Sequence, residues 1–332
     1  MRLGLLGLGR IGVFHAGTLR ALPAVDSLVV ADLDPARARQ VAEDVGAEAA
    51  GSMDAVLRAG VDGVVIAAAS ESHPELLIAA VEAGLPVFCE KPLARELPQS
   101  VAVLRALQGS DVPVHIGYQR RFDAGFAAAR RAVRSGELGW LHTVRSTTFD
   151  PSPPAPAYIA TSGGMFRDCG VHDYDAIRWV TGREVVEVYA VGSNRGDASF
   201  AAAGDVDTSA ALLTLDDGTL ALVSNGRYNG RGYDVRLEVH GSEDSVAVGL
   251  EDGLPLRSVE PGTSFPAGPP HAAFMQRFLP AYRAELAAFT DVVAGRRASP
   301  CTVADALDAE WVAEACSRSR RERRPVTIEE VR

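Results

Sequence analysis

The chain has 332 residues, of which 47% are hydrophobic and 23% charged, and its formal net charge is −10. These are globular values with length enough for two domains. The acidic balance excludes partners held by clustered Lys and Arg, namely nucleic acids and anionic membrane surfaces, and no apolar run is long enough to span a bilayer.

The first third alternates apolar runs with helical patterns. Leu3–Leu8, Leu28–Ala31, Val61–Ala67, Pro86–Cys89 and Val112–Gly117 read as strands. Gly12–Ala21, Pro35–Val45, Met53–Ala59, Pro74–Ala83 and Leu97–Leu107 read as helices between them. Wholly apolar strands separated by helices predict a doubly wound parallel sheet covered on both faces. The apolar start runs into Gly7, Gly9 and Gly12 without a cleavage-type site, so it reads as a buried strand and not a leader.

The pattern changes after Arg120. A helix at Ala124–Ser135 leads to a strand at Leu141–Thr148, a Pro-rich loop from Asp150 and a helix over Phe166–Val180. Strands then follow in series at Glu184–Gly192, Thr208–Leu215, Leu220–Arg227, Val235–Gly241 and Ser245–Leu250, with Asp216-Asp217-Gly218 as a hairpin signal. Helices return at Ala281–Val293 and Val303–Arg318. The expected fold is therefore α/β: a Rossmann domain over residues 1–120, then an α+β domain over 121–332 with an open, mainly antiparallel sheet. The last helix, about 303–320, is a candidate to return to the first domain. Cys89, Cys169, Cys301 and Cys316 are scattered without ligand or pairing spacing, which suits a reducing, cytoplasmic compartment.

Gly7-Leu8-Gly9-Arg10-Ile11-Gly12 stands between the first strand and the first helix. Its glycines allow a tight turn, close approach of a pyrophosphate, and helix–strand packing. Asp32 ends the second strand, about 20 residues on, where a carboxylate binds ribose hydroxyls and repels a 2′-phosphate. The expected cofactor is NAD. Ser70 and His73 lie at the carboxyl end of the third apolar core run, where helix capping and cofactor contact are both open readings for His73.

Cys89-Glu90-Lys91-Pro92 ends the next strand. A lysine at that edge either lies solvated or stabilises a developing alkoxide. Downstream, Asp168, His172 and Asp175 fall at i, i+4 and i+7, on one face of a regular helix. Histidine suits a general base, and a carboxylate can orient it. The same pair could ligate a metal or lie on a solvated face, but no further His/Cys/Glu cluster supports a metal site.

Together these segments resemble the glucose–fructose oxidoreductase, inositol dehydrogenase and MocA family. The resemblance is carried by Gly7–Gly12, Glu90-Lys91-Pro92, Gly117-Tyr118-Gln119-Arg120-Arg121-Phe122-Asp123, and Asp168 with His172. Gly232-Tyr233-Asp234 and Gln276-Arg277-Phe278 look most like its inositol 2-dehydrogenases. The resemblance implies NAD-dependent oxidation of a cyclic polyol, myo-inositol first, by Lys91, Asp168 and His172. Scyllo-inositol, an aldose or an anhydrosugar is the alternative substrate, and a non-catalytic NAD-binding sensor the alternative role. It also implies cofactor contacts from Ser70, His73 and Glu90, polyol contacts from Arg120, Asp150, Asp175 and Tyr233, and a homodimer or homotetramer formed through the second sheet.

Overall fold

The computed structural model describes all 332 residues. The chain forms two compact units, Met1–Tyr118 with Tyr282–Leu307, and Gln119–Ala281 with Asp308–Arg332.

The first unit is built on six strands: β1 (Arg2–Leu6), β2 (Ser27–Ala31), β3 (Glu48–Ala49), β4 (Gly63–Ile66), β5 (Val87–Glu90) and β6 (Val114–Gly117). Their order is β3-β2-β1-β4-β5-β6 and every pairing is parallel. Leu3, Leu5, Val29, Val30, Val64 and Val65 have no exposed surface, as strands covered on both faces require. The strand order reverses between β1 and β4, the place where open α/β sheets bind ligands at their carboxyl ends. Strand β3 is new relative to the sequence reading. It has two exposed residues at the sheet edge, too few for any periodicity. The core is closed from far along the chain, where Leu286, Phe289 and Val292 of the helix Leu279–Val293 join the cluster holding Leu5, Val65 and Phe88.

The second unit carries seven strands: β7 (Leu141–Phe149), β8 (Val185–Ser193), β9 (Thr208–Leu215), β10 (Leu220–Gly226), β11 (Asp234–Gly241), β12 (Ser245–Val248) and β13 (Val326–Thr327). The order is β12-β11-β7-β10-β9-β8-β13. All pairs are antiparallel except β7 with β10. The predicted hairpin joins β9 to β10. There Gly218 takes φ +88°, and the Asp217 carboxylate accepts from the Thr219 N–H at 3.0 Å. Burial alternates along β9 and β10, so one face of the sheet is covered and the other is not. The helices Ala124–Ser135 and Val171–Thr181 pack on each other, and on the covered face at β12 and β7 respectively.

The single helix expected over Phe166–Val180 is two pieces. Phe166–Gly170 is a π-turn, and the regular helix is Val171–Thr181. Gly170 stands at the junction, where a Cβ would come within 2.8 Å of the Tyr174 hydroxyl. The extra residue of a π-turn changes the direction of everything before it, so strict i, i+4 spacing no longer relates Asp168 to His172. Such turns concentrate at functional sites.

Candidate active site

The nucleotide loop lies between β1 and the helix Arg10–Arg20. Gly7 has φ +89°, and a Cβ there would press to 2.4 Å from Ala68 backbone. A Cβ on Gly12 would meet the Gly7 carbonyl at 2.1 Å, while at Gly9 it would meet nothing. Two glycines are therefore required by close packing, and the middle one faces open space into which a ligand can come. The helix beyond has no side-chain cap and no acid in its first turn. Other helices of the chain are capped, by Asp34 at Pro35–Val45 and by Asp123 at Ala124–Ser135. The free first-turn N–H groups and the positive dipole end suit a diphosphate. Arg10 is exposed and Ile11 partly so at this end. The cradle fits the dinucleotide that the fingerprint implies.

Asp32 closes the other side. Its Oδ2 accepts from the Leu8 N–H at 2.7 Å and its Oδ1 from the Asp34 N–H at 2.9 Å, which fixes the carboxylate beside the loop. Arg37 also reaches it, at 3.5 Å, from a half-exposed position. Sequence spacing did not reveal that contact, because the helix Pro35–Val45 turns Arg37 back over the strand end.

Ser70 opens a short 3-10 turn after β4. His73 opens the next helix. Its ring is buried, with Nδ1 2.8 Å from the Pro92 carbonyl and Nε2 3.1 Å from the Ala68 carbonyl. Burial lowers its pKa, and the two carbonyl contacts oppose that shift. The ring lies between these two backbone carbonyls, and the helix that His73 opens has no side-chain cap. His73 ties the segment after Lys91 to the end of β4. Lys91 itself is partly exposed, one residue past β5, and the Lys91–Pro92 bond is cis. Glu90 turns its carboxylate toward His15 in the first helix, at 2.6 Å.

In the second unit the two motifs behind the resemblance are latched together. Arg120 donates to Asp173 at 2.7 Å and to Thr148 at 2.8 Å, while Arg121 grips Asp175 through Nε and Nη2. All five residues are buried. Asp173 also accepts from Ser146 at 2.6 Å and Asn225 at 2.8 Å. Buried charges need this degree of satisfaction. Arg120 and Asp175, expected to touch substrate hydroxyls, are engaged here in buried ion pairs.

Asp150 and Asp168 are brought together by a residue the sequence reading passed over. Arg227, just past β10, donates through Nη1 to Asp150 at 2.5 Å and through Nη2 to Asp168 at 2.6 Å. Tyr158, in the short helix Pro156–Ile159, donates its hydroxyl to the other Asp168 oxygen at 2.9 Å. Burial alone would lower the Arg227 pKa, but Asp168, Cys169 and Asp150 raise it well above the usual value. His172 is the second residue of the regular helix and is partly exposed. Tyr233 is buried, its ring against Phe274 and Phe278, and burial raises its hydroxyl pKa. No group of three His, Cys, Asp or Glu side chains is disposed to hold a metal ion.

Residues 1–118 match an oxidoreductase family with an NAD-binding Rossmann fold, and residues 126–247 match the GFO/IDH/MocA C-terminal domain. The chain belongs to the GFO/IDH/MocA family. It is an NAD-binding oxidoreductase. Among GFO/IDH/MocA relatives, a myo-inositol dehydrogenase of Streptomyces leeuwenhoekii is 40% identical, covering 96% of this chain and 97% of that one. An inositol 2-dehydrogenase of Rhizobium meliloti is 36% identical over 99% of both chains. A solved structure of scyllo-inositol dehydrogenase from Lactobacillus casei, with bound NAD(H) and scyllo-inositol, superposes with a TM-score of 0.88 at 28% identity over 99% of each chain.

Proposed function

We propose that this GFO/IDH/MocA protein oxidises a ring hydroxyl of a cyclic polyol to a ketone, with myo-inositol as the first substrate. The full-length likeness to proteins named as inositol dehydrogenases carries this reading. NAD, when bound, supplies the hydride-accepting nicotinamide. The chain's own residues hold the hydroxyl and move its proton. His172 is the base, since an imidazole titrates near neutrality. Lys91 is assigned the role of stabilising the negative charge that develops as the hydroxyl is oxidised. A negative charge on Asp168 favours the imidazolium formed on His172, and hydrogen bonds from Arg227 and Tyr158 orient that carboxylate. Asp150 and Tyr233 remain the candidates for the other ring hydroxyls. Asp32 supports NAD over NADP, because its charge disfavours a 2′-phosphate.

Scyllo-inositol is a second reading, favoured by the ligand named in the Lactobacillus casei structure. The rate of NAD reduction over a panel of inositols and aldoses, with NADP in parallel, separates the readings. Turnover of myo-inositol with NAD is the expected result. Turnover of another sugar only would move the substrate, and turnover of none would refute the reading.

The uncovered face of the second sheet supports assembly of like subunits. Tyr189, Leu212 and Leu222 form a cross-strand row over β8, β9 and β10 in direct register, each between 41% and 45% exposed. Val191 and Leu220 extend it. An apolar row of this kind on an open sheet marks an interaction surface. We assign it to a second copy of the chain, as a homodimer or homotetramer. Light scattering is expected to give an oligomer for the parent protein and a smaller species for Leu212→Glu with Leu222→Glu. A monomeric parent would refute the assignment. A cytoplasmic location is supported by the four cysteines, all buried and none in a disulfide. No helix is long and apolar enough to cross a membrane.

A further inference from the structure

We propose that His15 is a positioning residue for Lys91, acting through the carboxylate of Glu90; the inference rests on Lys91 serving the reacting hydroxyl, as read above. His15 lies in the helix Arg10–Arg20, about a turn and a half beyond the nucleotide loop. It has no exposed surface, and its Nε2–H donates to Glu90 Oε1 at 2.6 Å. Its Nδ1 has no hydrogen-bond partner. Phe14, Phe88 and Tyr282 wall the ring, with centroids at 5.7, 5.8 and 5.8 Å. Packing therefore fixes the plane of the imidazole, and with it the direction of its single bond.

That bond is a poor way to stabilise a fold. Burying an imidazole for one bond to a carboxylate roughly breaks even against a well-packed apolar side chain. What the bond does achieve is orientation. Glu90 is the last residue of β5, directly before Lys91. Its Oε2 lies over Gly117 of β6, 3.2 Å from where a Cβ would be, so the side chain is held by His15 at one oxygen and laid against bare backbone at the other. On the far side of Lys91, His73 holds the Pro92 carbonyl. Lys91 is thus flanked by two residues held by buried imidazoles, Glu90 through its carboxylate and Pro92 through its carbonyl. One of these imidazoles rides on the helix whose free N-terminal N–H groups suit the cofactor diphosphate. The His15–Glu90 bond makes the cofactor helix and the lysine strand a single aligned piece, in which an error at either end displaces the lysine.

The test uses the full chain with its substrate and NAD. His15→Leu fills the space without a donor, and His15→Gln restores an amide donor. Glu90→Gln weakens the acceptor at constant shape and serves if His15→Leu fails to fold. In His15→Leu and in Glu90→Gln, kcat is expected to fall by roughly tenfold to a hundredfold, as for a slight misplacement of a reacting group. The KM for polyol and the melting temperature should stay near the parent values, and His15→Gln should recover most of the rate. An unchanged kcat in these variants, or a fall in melting temperature that accounts for the loss, overturns the proposal. Lys91→Met is measured beside them. If it turns over like the parent, the lysine assignment fails instead, and the two failures are told apart.

Discussion

Replacing His172 with alanine is expected to lower turnover by about 10²–10⁴-fold, the range for a positioned general base, while NAD binds as before. The argument has two links. His172 is partly exposed at the first turn of a regular helix, whereas the adjacent Asp173 is wholly buried and committed to four partners. Of these two neighbours only the histidine keeps exposed surface. The loss should fall on kcat and kcat/KM alike, since the proton moves only as the reaction proceeds. Binding of NAD, followed by fluorescence of the reduced cofactor, provides the control, because the nucleotide loop and Asp32 are in the other unit of the chain. Parent-like turnover by His172→Ala would remove the histidine from the mechanism.

The second large effect is expected at Arg227. Its guanidinium is 8% exposed and bridges Asp150 to Asp168 with one Nη on each. Arg227→Leu leaves the nearly buried Asp168 without its counter-charge, and removing one member of a buried pair costs about 3–5 kcal/mol. Denaturant midpoints should fall accordingly, and residual activity should be lost with Asp168's orientation. Arg227→Lys should keep part of the stability but less of the activity, because an ammonium cannot reach two carboxylates with a planar fork. Adding Asp150→Asn to Arg227→Leu removes one uncompensated charge and should return some stability. If Arg227→Leu unfolds at the parent midpoint, the bridge contributes nothing and its positioning role falls with it.

Much of this was legible in the residues. Continuous apolar runs announced β1, β2 and β4, since strands covered on both faces leave no room for polar alternation. The alternation of β9 and β10 and the Asp-Gly between them announced the hairpin. The nucleotide loop could be read because its three glycines answer three separate steric demands.

What could not be read has physical causes. Strands β3 and β13 are two residues each, shorter than any period. The π-turn at Phe166–Gly170 has no distinct composition, so a helical wheel treats Asp168, His172 and Asp175 as lying on one regular helix when Asp168 lies in the π-turn before it. Which carboxylates of Asp168, Asp173 and Asp175 serve the fold depends on Arg120 and Arg121, more than a strand and a helix away in sequence. Two adjacent arginines could have suggested two carboxylate partners, and that was the available signal. Arg227 had none, as a single strand-end arginine resembles any surface cation. His15 and Glu90 likewise read as isolated residues until the helix was laid over the sheet.

The closing of the first core by Leu286, Phe289 and Val292 bears on how such chains recombine. The nucleotide-binding half is not a cassette that ends at Tyr118. Its hydrophobic interior is completed by a return segment, Tyr282–Leu307, and the Ile116 N–H is satisfied by the Cys301 carbonyl at 2.9 Å. Exchanging only the first 118 residues between relatives would graft one set of strands onto another's closing helix, with mismatched volumes at Phe88 and Phe289. A transplant that respects the interior carries both segments, so cofactor preference and the late helix are inherited as one unit despite lying at opposite ends of the gene product.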